Sequence, residues 1–340
     1  MQALQLFGDR DLRLVTLDDP PPPGPGEVQV RIRAVGLNHI DVWGFRGMAF
    51  VRRKLPVVVG AEGAGEIASV GEGVASFWPG QRVALYGALT CGRCRACREG
   101  RDNLCEAVGG IMGFHLDGFS RELVNMPARL CVPIPDEVPF ADAACAPVAY
   151  GTVQHMLFDN ARLEPGETIL IHAGGSGIGT AAILMAKAIG CTVVATVGDD
   201  RKAERVRALG ADHAINYRTE RFEGETRRLT GRKGVDVVFE HVGADTWAGS
   251  LLCLKRGGRL VTCGSTSGVS ASINLMQLFQ QQYRITGSFG CRIENIRQSL
   301  AKMSGGLRPV IDEVLPLAEF TRGLGKLEGR QVFGKVIATL

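Results

Sequence analysis

No stretch of this sequence stays apolar for the roughly 18 residues that a membrane-spanning helix needs, so a membrane-embedded role is not expected. The opening residues Met1-Gln2-Ala3-Leu4-Gln5 lack the basic and apolar regions of a secretion signal, and a cytoplasmic location is expected. A large excess of charge of one sign is missing too. Lysine and arginine total 39 against 35 acids, and the balance of +4 is spread along the chain with no basic stripe for nucleic acid. Ten cysteines in 340 residues are too thin for a secreted disulfide scaffold, and four of them fall within 15 positions. Internal repeats, low-complexity tracts and long linkers are missing as well. What remains is an ordinary globular composition, 45% hydrophobic and 22% charged, in a chain long enough for two domains.

What the sequence does have is glycine, 45 residues of it, as many βα turns and tight hairpins require. From Met1 to about Pro127 short alternating runs such as Leu12–Val15, Val28–Val35, Glu66–Val70 and Gly80–Leu85 predict a β-rich, barrel-like domain. A helical pattern starts near Pro139 and runs past Tyr150. Beyond it strands and helices alternate: strands at Thr168–Ile171, Thr192–Val197, Ala214–Tyr217, Val235–Glu240, Gly258–Gly264 and Arg284–Phe289, with helices at Thr180–Ile189, Arg201–Leu209 and Thr246–Leu254. That alternation predicts a parallel sheet covered on both faces. The last 50 residues read helix (Ile293–Met303), strand (Val310–Leu317), helix (Ala318–Leu327), strand (Gly334–Thr339), the final strand returning to the first domain.

Two motifs carry chemistry. Gly174-Gly175-Ser176-Gly177-Ile178-Gly179 joins the first buried strand to a helix. Glycines there let the backbone approach a pyrophosphate, and the helix start offers free N–H groups and a positive dipole end. Ser176 takes the place of the second glycine in the G-x-G-x-x-G pattern and brings a hydroxyl near the phosphates. Cys91, Cys94, Cys97 and, after seven intervening residues, Cys105 have the spacing of a zinc site. Four sulfurs at about 2.3 Å close a tetrahedral zinc and leave no open position, so the metal holds a lobe together and does not catalyse. Arg93, Arg95 and Arg98 offset its negative charge.

A β domain with this cysteine loop followed by a dinucleotide-binding domain resembles the medium-chain dehydrogenase/reductase superfamily over nearly the whole chain. The resemblance implies an α/β fold in which a GroES-like β-rich catalytic domain is interrupted by a Rossmann doubly wound parallel sheet. Its expected parts are residues 1–145 with the structural zinc lobe, 146–290 for the dinucleotide domain, and 291–340 returning to the catalytic domain. The zinc alcohol dehydrogenases of this superfamily also carry a catalytic zinc, and here the sequence departs from them. Their cysteine ligand lines up with Asn38, their histidine with Ala61 of Gly60-Ala61-Glu62, and their proton-relay hydroxyl with Ile40. Their third ligand falls near Ala144, next to Cys145. A substitute set of His39, Glu62 and Cys145 is the alternative, although single-residue shifts aim side chains elsewhere. Asn38-x-Ile40-Asp41, Gly60-x-Glu62, Phe239–Trp247 and Gly264–Gly268 instead resemble the quinone oxidoreductase and enone reductase branch.

Without a catalytic metal, reducing a simple ketone leaves charge on one oxygen with little to stabilise it. Hydride addition to an enone, enoyl thioester or quinone spreads that charge, so positioning and one or two donors suffice. The expected substrate is therefore a small unsaturated carbonyl compound or a quinone. Asn38 and His39 are the candidate catalytic residues; Trp43, Glu62 and Cys145 are the candidate pocket residues. The bland alternatives are that Asn38 caps a turn and His39 is a satisfied wall histidine. Arg52-Arg53-Lys54 reads as a solvated loop, or as a contact for an acidic or CoA-bearing substrate. The resemblance implies a lysine and a tyrosine for the cofactor's 2′-phosphate, matching Lys202 and Tyr217, and so NADP(H) in preference to NAD(H). Asp199 is the contrary sign, because a carboxylate there repels that phosphate. Val242, Gly264, Ser265, Thr266 and Phe289 complete the expected cofactor contacts. The resembling families join Rossmann sheets through the sixth strand, so a homodimer or homotetramer is expected. The rival readings are a zinc alcohol dehydrogenase with rearranged ligands and a nucleotide-binding protein without catalytic activity.

Overall fold

The computed structural model describes residues 1–47 and 53–340. The chain forms two compact units, Met1–Gly151 with Cys291–Leu340, and Thr152–Gly290. Strands of the first unit are β1 (Gln2–Gly8), β2 (Asp11–Thr16), β3 (Glu27–Gly36), β4 (Val57–Val58), β5 (Glu62–Val70), β6 (Arg82–Leu85), β7 (Leu123–Pro127) and β8 (Cys131–Pro133). The second unit contributes β9 (Thr168–Ile171), β10 (Thr192–Val197), β11 (His213–Asn216), β12 (Val235–Glu240), β13 (Leu254–Thr262) and β14 (Arg284–Gly287). The chain then returns to the first unit with β15 (Ile311–Pro316) and β16 (Lys335–Thr339). Among the described residues no helix is long and apolar enough to cross a membrane.

In the first unit β3 is the organising strand. Its alternation puts Val28, Val30 and Ile32 inside and leaves Arg31 and Arg33 outside, the period-2 pattern of a half-buried strand. It pairs antiparallel with β5, β7 and β16, so Gly36 lies between Glu62 on one side and Ile337 on the other. β16 also pairs parallel with β15, which closes the C-terminal segment onto this sheet.

The second unit is a six-stranded parallel sheet in the order β11-β10-β9-β12-β13-β14. Ile169, Leu170 and Ile171 of the central β9 are fully buried, as expected for a strand covered on both faces. The strand order reverses beside β9, and the crevice at the carboxyl ends of such strands is where α/β folds bind ligands.

Four local features differ from the sequence reading. β5 begins at Glu62, four residues before the expected Glu66, because Gly63-Ala64-Gly65 has no β-branched signature and pairs closely with β3. The stretch after Asn38, to which the sequence pattern assigns no element, is a helix (His39–Phe45). The helical stretch from 140 to 160 is four short pieces, with Pro147 lacking an N–H and Tyr150 donating five residues back to the Cys145 carbonyl at 3.0 Å. Arg53 is half-buried and not solvated: its Nη2 donates to the Gly44 carbonyl at 2.6 Å and its guanidinium lies over the Phe114 ring. Arg52 lies outside the described residues.

Candidate functional site

In the second unit the glycine turn joins β9 to the helix Gly177–Ala188. Ala173 takes a left-handed backbone (φ 45°), and Ser176 is the N-cap whose Oγ accepts the Gly179 N–H at 2.9 Å. The Ser176 hydroxyl is thus first a helix cap. Gly174 packs so closely on β10 that an added Cβ would lie 3.1 Å from the Ala195 side chain. At Gly179 a Cβ would meet the Gly174 Cα at 2.9 Å. These two glycines are required by packing, and the turn they form has the backbone cradle that a pyrophosphate fits.

Around the turn runs a buried polar network. Glu240 is fully buried; Oε1 accepts the N–H groups of Val242 (2.7 Å) and Gly243 (3.1 Å), and Oε2 accepts the hydroxyls of Thr246 (2.8 Å) and Ser250 (2.7 Å). Ser250 in turn lies 2.9 Å from His172 Nε2, and His172 Nδ1 lies 3.1 Å from Thr196 Oγ1. Burial holds the His172 imidazole below its usual range against the pull of Glu240. The network ties the loop after β12 to the strand feeding the turn. Ser267 N–H donates to the Val242 carbonyl at 2.8 Å, so Val242 and the Gly264–Thr266 loop after β13 meet. Phe289, just past β14, is 66% exposed.

NAD-binding folds carry an acid at the end of the second strand; here β10 ends on Val197 and Gly198 follows, so one of these two takes its place. A Cβ on Gly198 would lie 2.7 Å from the Tyr217 hydroxyl and 3.7 Å from Arg218 Nε, so these side chains cover the glycine. Asp199, the contrary sign, is an N-cap: its carboxylate accepts the Lys202 N–H at 2.7 Å. Arg218 was missed by sequence reasoning; its position one residue past Tyr217 was the available signal.

The first unit assembles a different cluster. Asn38 caps the helix His39–Phe45, and its backbone N–H donates to Asp41 Oδ2 at 2.8 Å. Lys335, at the start of β16, is buried, and its Nζ donates to the Leu37 carbonyl (2.7 Å), to Asn38 Oδ1 (2.7 Å) and to Glu62 Oε1. Glu62 is itself fully buried, with Oε2 accepting the N–H groups of Val148 (2.7 Å) and Ala149 (3.3 Å). Cys145 is fully buried and its thiol is pushed well up by burial. Neither Glu62 nor Cys145 offers a free surface to a ligand. His39 is exposed at the first turn of the helix, edge-on to Trp43 with ring centroids 6.3 Å apart. His39, Glu62 and Cys145 do not gather as metal ligands. Among the described residues the Cys91, Cys94, Cys97, Cys105 group is the one set of three or more candidate ligands that meet, all within 4.8 Å.

That group fits zinc. Four sulfurs about 2.3 Å from one centre are about 3.8 Å apart, and Cys91 Sγ lies 4.0 Å from Cys97 Sγ. Backbone N–H groups of Cys91, Cys94 and Cys97 point at the sulfurs of Cys105 (3.2 Å), Cys91 (3.3 Å) and Cys94 (3.5 Å). Such donors, from Arg93 and Cys94, bring the Cys91 thiol down to about 6, while burial lifts that of Cys97 to about 12. The lobe is anchored in its own unit. Asp102 accepts the Ile293 N–H at 2.9 Å, and Tyr86 donates to the Cys291 carbonyl at 2.7 Å.

Lys335 too was missed by sequence reasoning; the signal was one lysine heading the apolar run Val336-Ile337-Ala338.

Comparison with known proteins places both units. Residues 24–136 match the family model for an alcohol dehydrogenase GroES-like domain, and residues 177–305 match that for a zinc-binding dehydrogenase. A 2-haloacrylate reductase of Burkholderia sp. is 31% identical over 91% of this chain and 90% of that protein. A quinone oxidoreductase of Pseudomonas aeruginosa is 33% identical over 91% of this chain and 89% of its own length. Among solved structures, an NAD-dependent alcohol dehydrogenase superposes with a TM-score of 0.94 at 39% identity, covering 100% of both chains.

Proposed function

The chain belongs to the medium-chain dehydrogenase/reductase superfamily, and on that premise we propose that it is an NADPH-dependent reductase of an activated C=C bond or a quinone, with zinc only in its structural lobe. The observation that carries this reading is the Lys335 ammonium, buried against Asn38 and Glu62. Asn38 and Ala61 line up with two ligands of the zinc alcohol dehydrogenases; alanine has no ligand atom, and the Asn38 side-chain oxygen is taken up by Lys335 of the buried Lys335–Glu62 ion pair, so it is not free for a metal. The 2-haloacrylate reductase and the quinone oxidoreductase among the relatives support the same substrate classes.

A bound nicotinamide supplies the hydride. The glycine turn and the Val242 and Gly264–Thr266 loops hold the cofactor in this reading, with Lys202, Tyr217 and Arg218 on its 2′-phosphate. Asn38 donates an N–H to the substrate oxygen where charge develops as hydride arrives at the β-carbon. His39 delivers the proton, and Trp43 forms an aromatic wall. A homodimer formed through the open edge of β14 is part of the same reading.

The decisive experiment is a panel of an enone, an acrylate, an acryloyl thioester and a quinone, each with NADPH and NADH, together with metal analysis. The proposal expects turnover of at least one member, faster with NADPH, at one zinc per chain. The likeness to an NAD-dependent alcohol dehydrogenase favours a second reading, a zinc alcohol dehydrogenase with displaced ligands. A second, activity-linked zinc would establish it and sink the first. NADPH binding with no turnover of any member would leave a nucleotide-binding protein.

A further inference from the structure

We propose that Lys335 is a positioning residue for the side-chain amide of Asn38, with Glu62 as its buried counter-ion. This rests on the reading above, in which Asn38 is the donor to the substrate oxygen. Three chain segments meet here: Lys335 lies 297 residues from Asn38 and 273 from Glu62. The sheet register brings them together, because Gly36 pairs with both Ile337 and Glu62. Gly36 also makes room. A Cβ on it would collide with the Glu62 carboxylate, its Cδ atom at 2.9 Å, so only glycine lets that carboxylate lie across β3 to the lysine.

The orientation of the amide follows from the donors. An ammonium has three N–H groups and no acceptor, and all three are used, on Leu37 O, Asn38 Oδ1 and Glu62 Oε1. Asn38 must therefore turn its oxygen to the lysine, since a flipped amide would set N–H against N–H. Its Nδ2 donates to the Gly36 carbonyl at 3.1 Å, which uses one of its two hydrogens. The second hydrogen is the one this arrangement reserves for a ligand. A donor whose direction is fixed before substrate arrives needs no reorganisation as charge develops. Lys335 thus holds Asn38 as an oriented donor without touching the substrate.

The test is a double-mutant cycle in the full-length, zinc-loaded protein, using the fastest member of the panel above. Removing Lys335 alone strands a buried carboxylate, so the pair is replaced together as K335M/E62M, with K335M/E62Q as the second variant should the first not fold. Melting temperature and NADPH affinity report on folding. The expected result is kcat lowered about 10- to 100-fold with KM changed less than about threefold. N38A is expected to lower kcat by about 100-fold. Adding the pair replacement to N38A should then change kcat by less than about threefold, because the two act as one unit. An inactive N38A with unchanged kcat in the folded pair variants overturns the positioning role alone, as does a full additional loss on top of N38A. An N38A that keeps wild-type kcat, or a panel with no substrate, overturns the parent reading and this one with it.

Discussion

The Asp41 carboxylate accepts the backbone N–H of Asn38 at 2.8 Å through one oxygen, and its other oxygen is buried. Burial raises its pKa to about 7, against the opposing effects of the Asn38 N–H and of Lys335. The unfolded chain releases this proton near 3.8, whereas the folded protein keeps it until about 7. Stability from this group is therefore present below the unfolded value and lost as pH rises toward 7. Asp41→Asn removes that slope while keeping an acceptor for Asn38. The melting temperature of D41N relative to wild type should improve between pH 5 and pH 8, by about 2 kcal/mol in stability. A difference that stays flat across that range would show that Asp41 is ionised throughout.

Zinc removal tests the lobe. Structural zinc contributes folding free energy directly, and Asp102 and Tyr86 link this lobe to Ile293 and Cys291. Chelation, or Cys97→Ser, should lower the melting temperature sharply, by about 5 kcal/mol or more in stability. Cadmium, a thiolate-binding substitute, should restore the melting temperature and keep kcat within about twofold, since a closed four-sulfur site offers no position to substrate. A kcat that tracks the identity of the metal would assign it to the chemistry.

Gly198 is the position to change for cofactor choice. In G198D the new Cβ lies 2.7 Å from where the Tyr217 hydroxyl stands, so the tyrosine must move. The added carboxylate would accept from a ribose 2′-hydroxyl and repel a 2′-phosphate. The ratio of kcat/KM with NADPH to that with NADH should fall about 100-fold, two steps of about 1.4 kcal/mol. R218A should lower it in the same direction by about tenfold. If neither variant moves the ratio, the 2′ position is read elsewhere.

Much of this molecule was legible in the sequence, and the boundary has a physical cause. The strands Thr192–Val197 and Val235–Glu240 lie where their apolar runs put them, because a fully buried parallel strand is a local signal. The cysteine loop was legible for the same reason, since four ligands within one loop carry their own geometry. Lys335 against Asn38 was not, because sequence spacing says nothing of which residues the register of three strands brings together. Nor was the helix after Asn38: seven residues are too few for a periodic pattern, and its start depends on Asp41 reaching back. The Arg53 contact is likewise tertiary, made to Gly44 and Phe114.

The edge of the Rossmann sheet supplies the last prediction. Among the described residues β14 pairs only with β13, which leaves the outer row of its backbone groups open there. Just before it in the chain, the helix Leu275–Gln281 has no buried residue, and Leu275, Met276 and Phe279 are 66%, 61% and 67% exposed. At 100° per residue these three side chains share one face of the helix. An open strand edge and an apolar helix face are each costly to leave in water, and a second copy of the chain is the expected cover. Light scattering on the purified protein should give twice or four times the 36.4 kDa chain mass. L275E/F279E should shift it to the monomer while leaving the melting transition of the zinc lobe in place. A wild-type protein that is monomeric at micromolar concentration would remove this face from the assembly and leave its exposed side chains for another occupant.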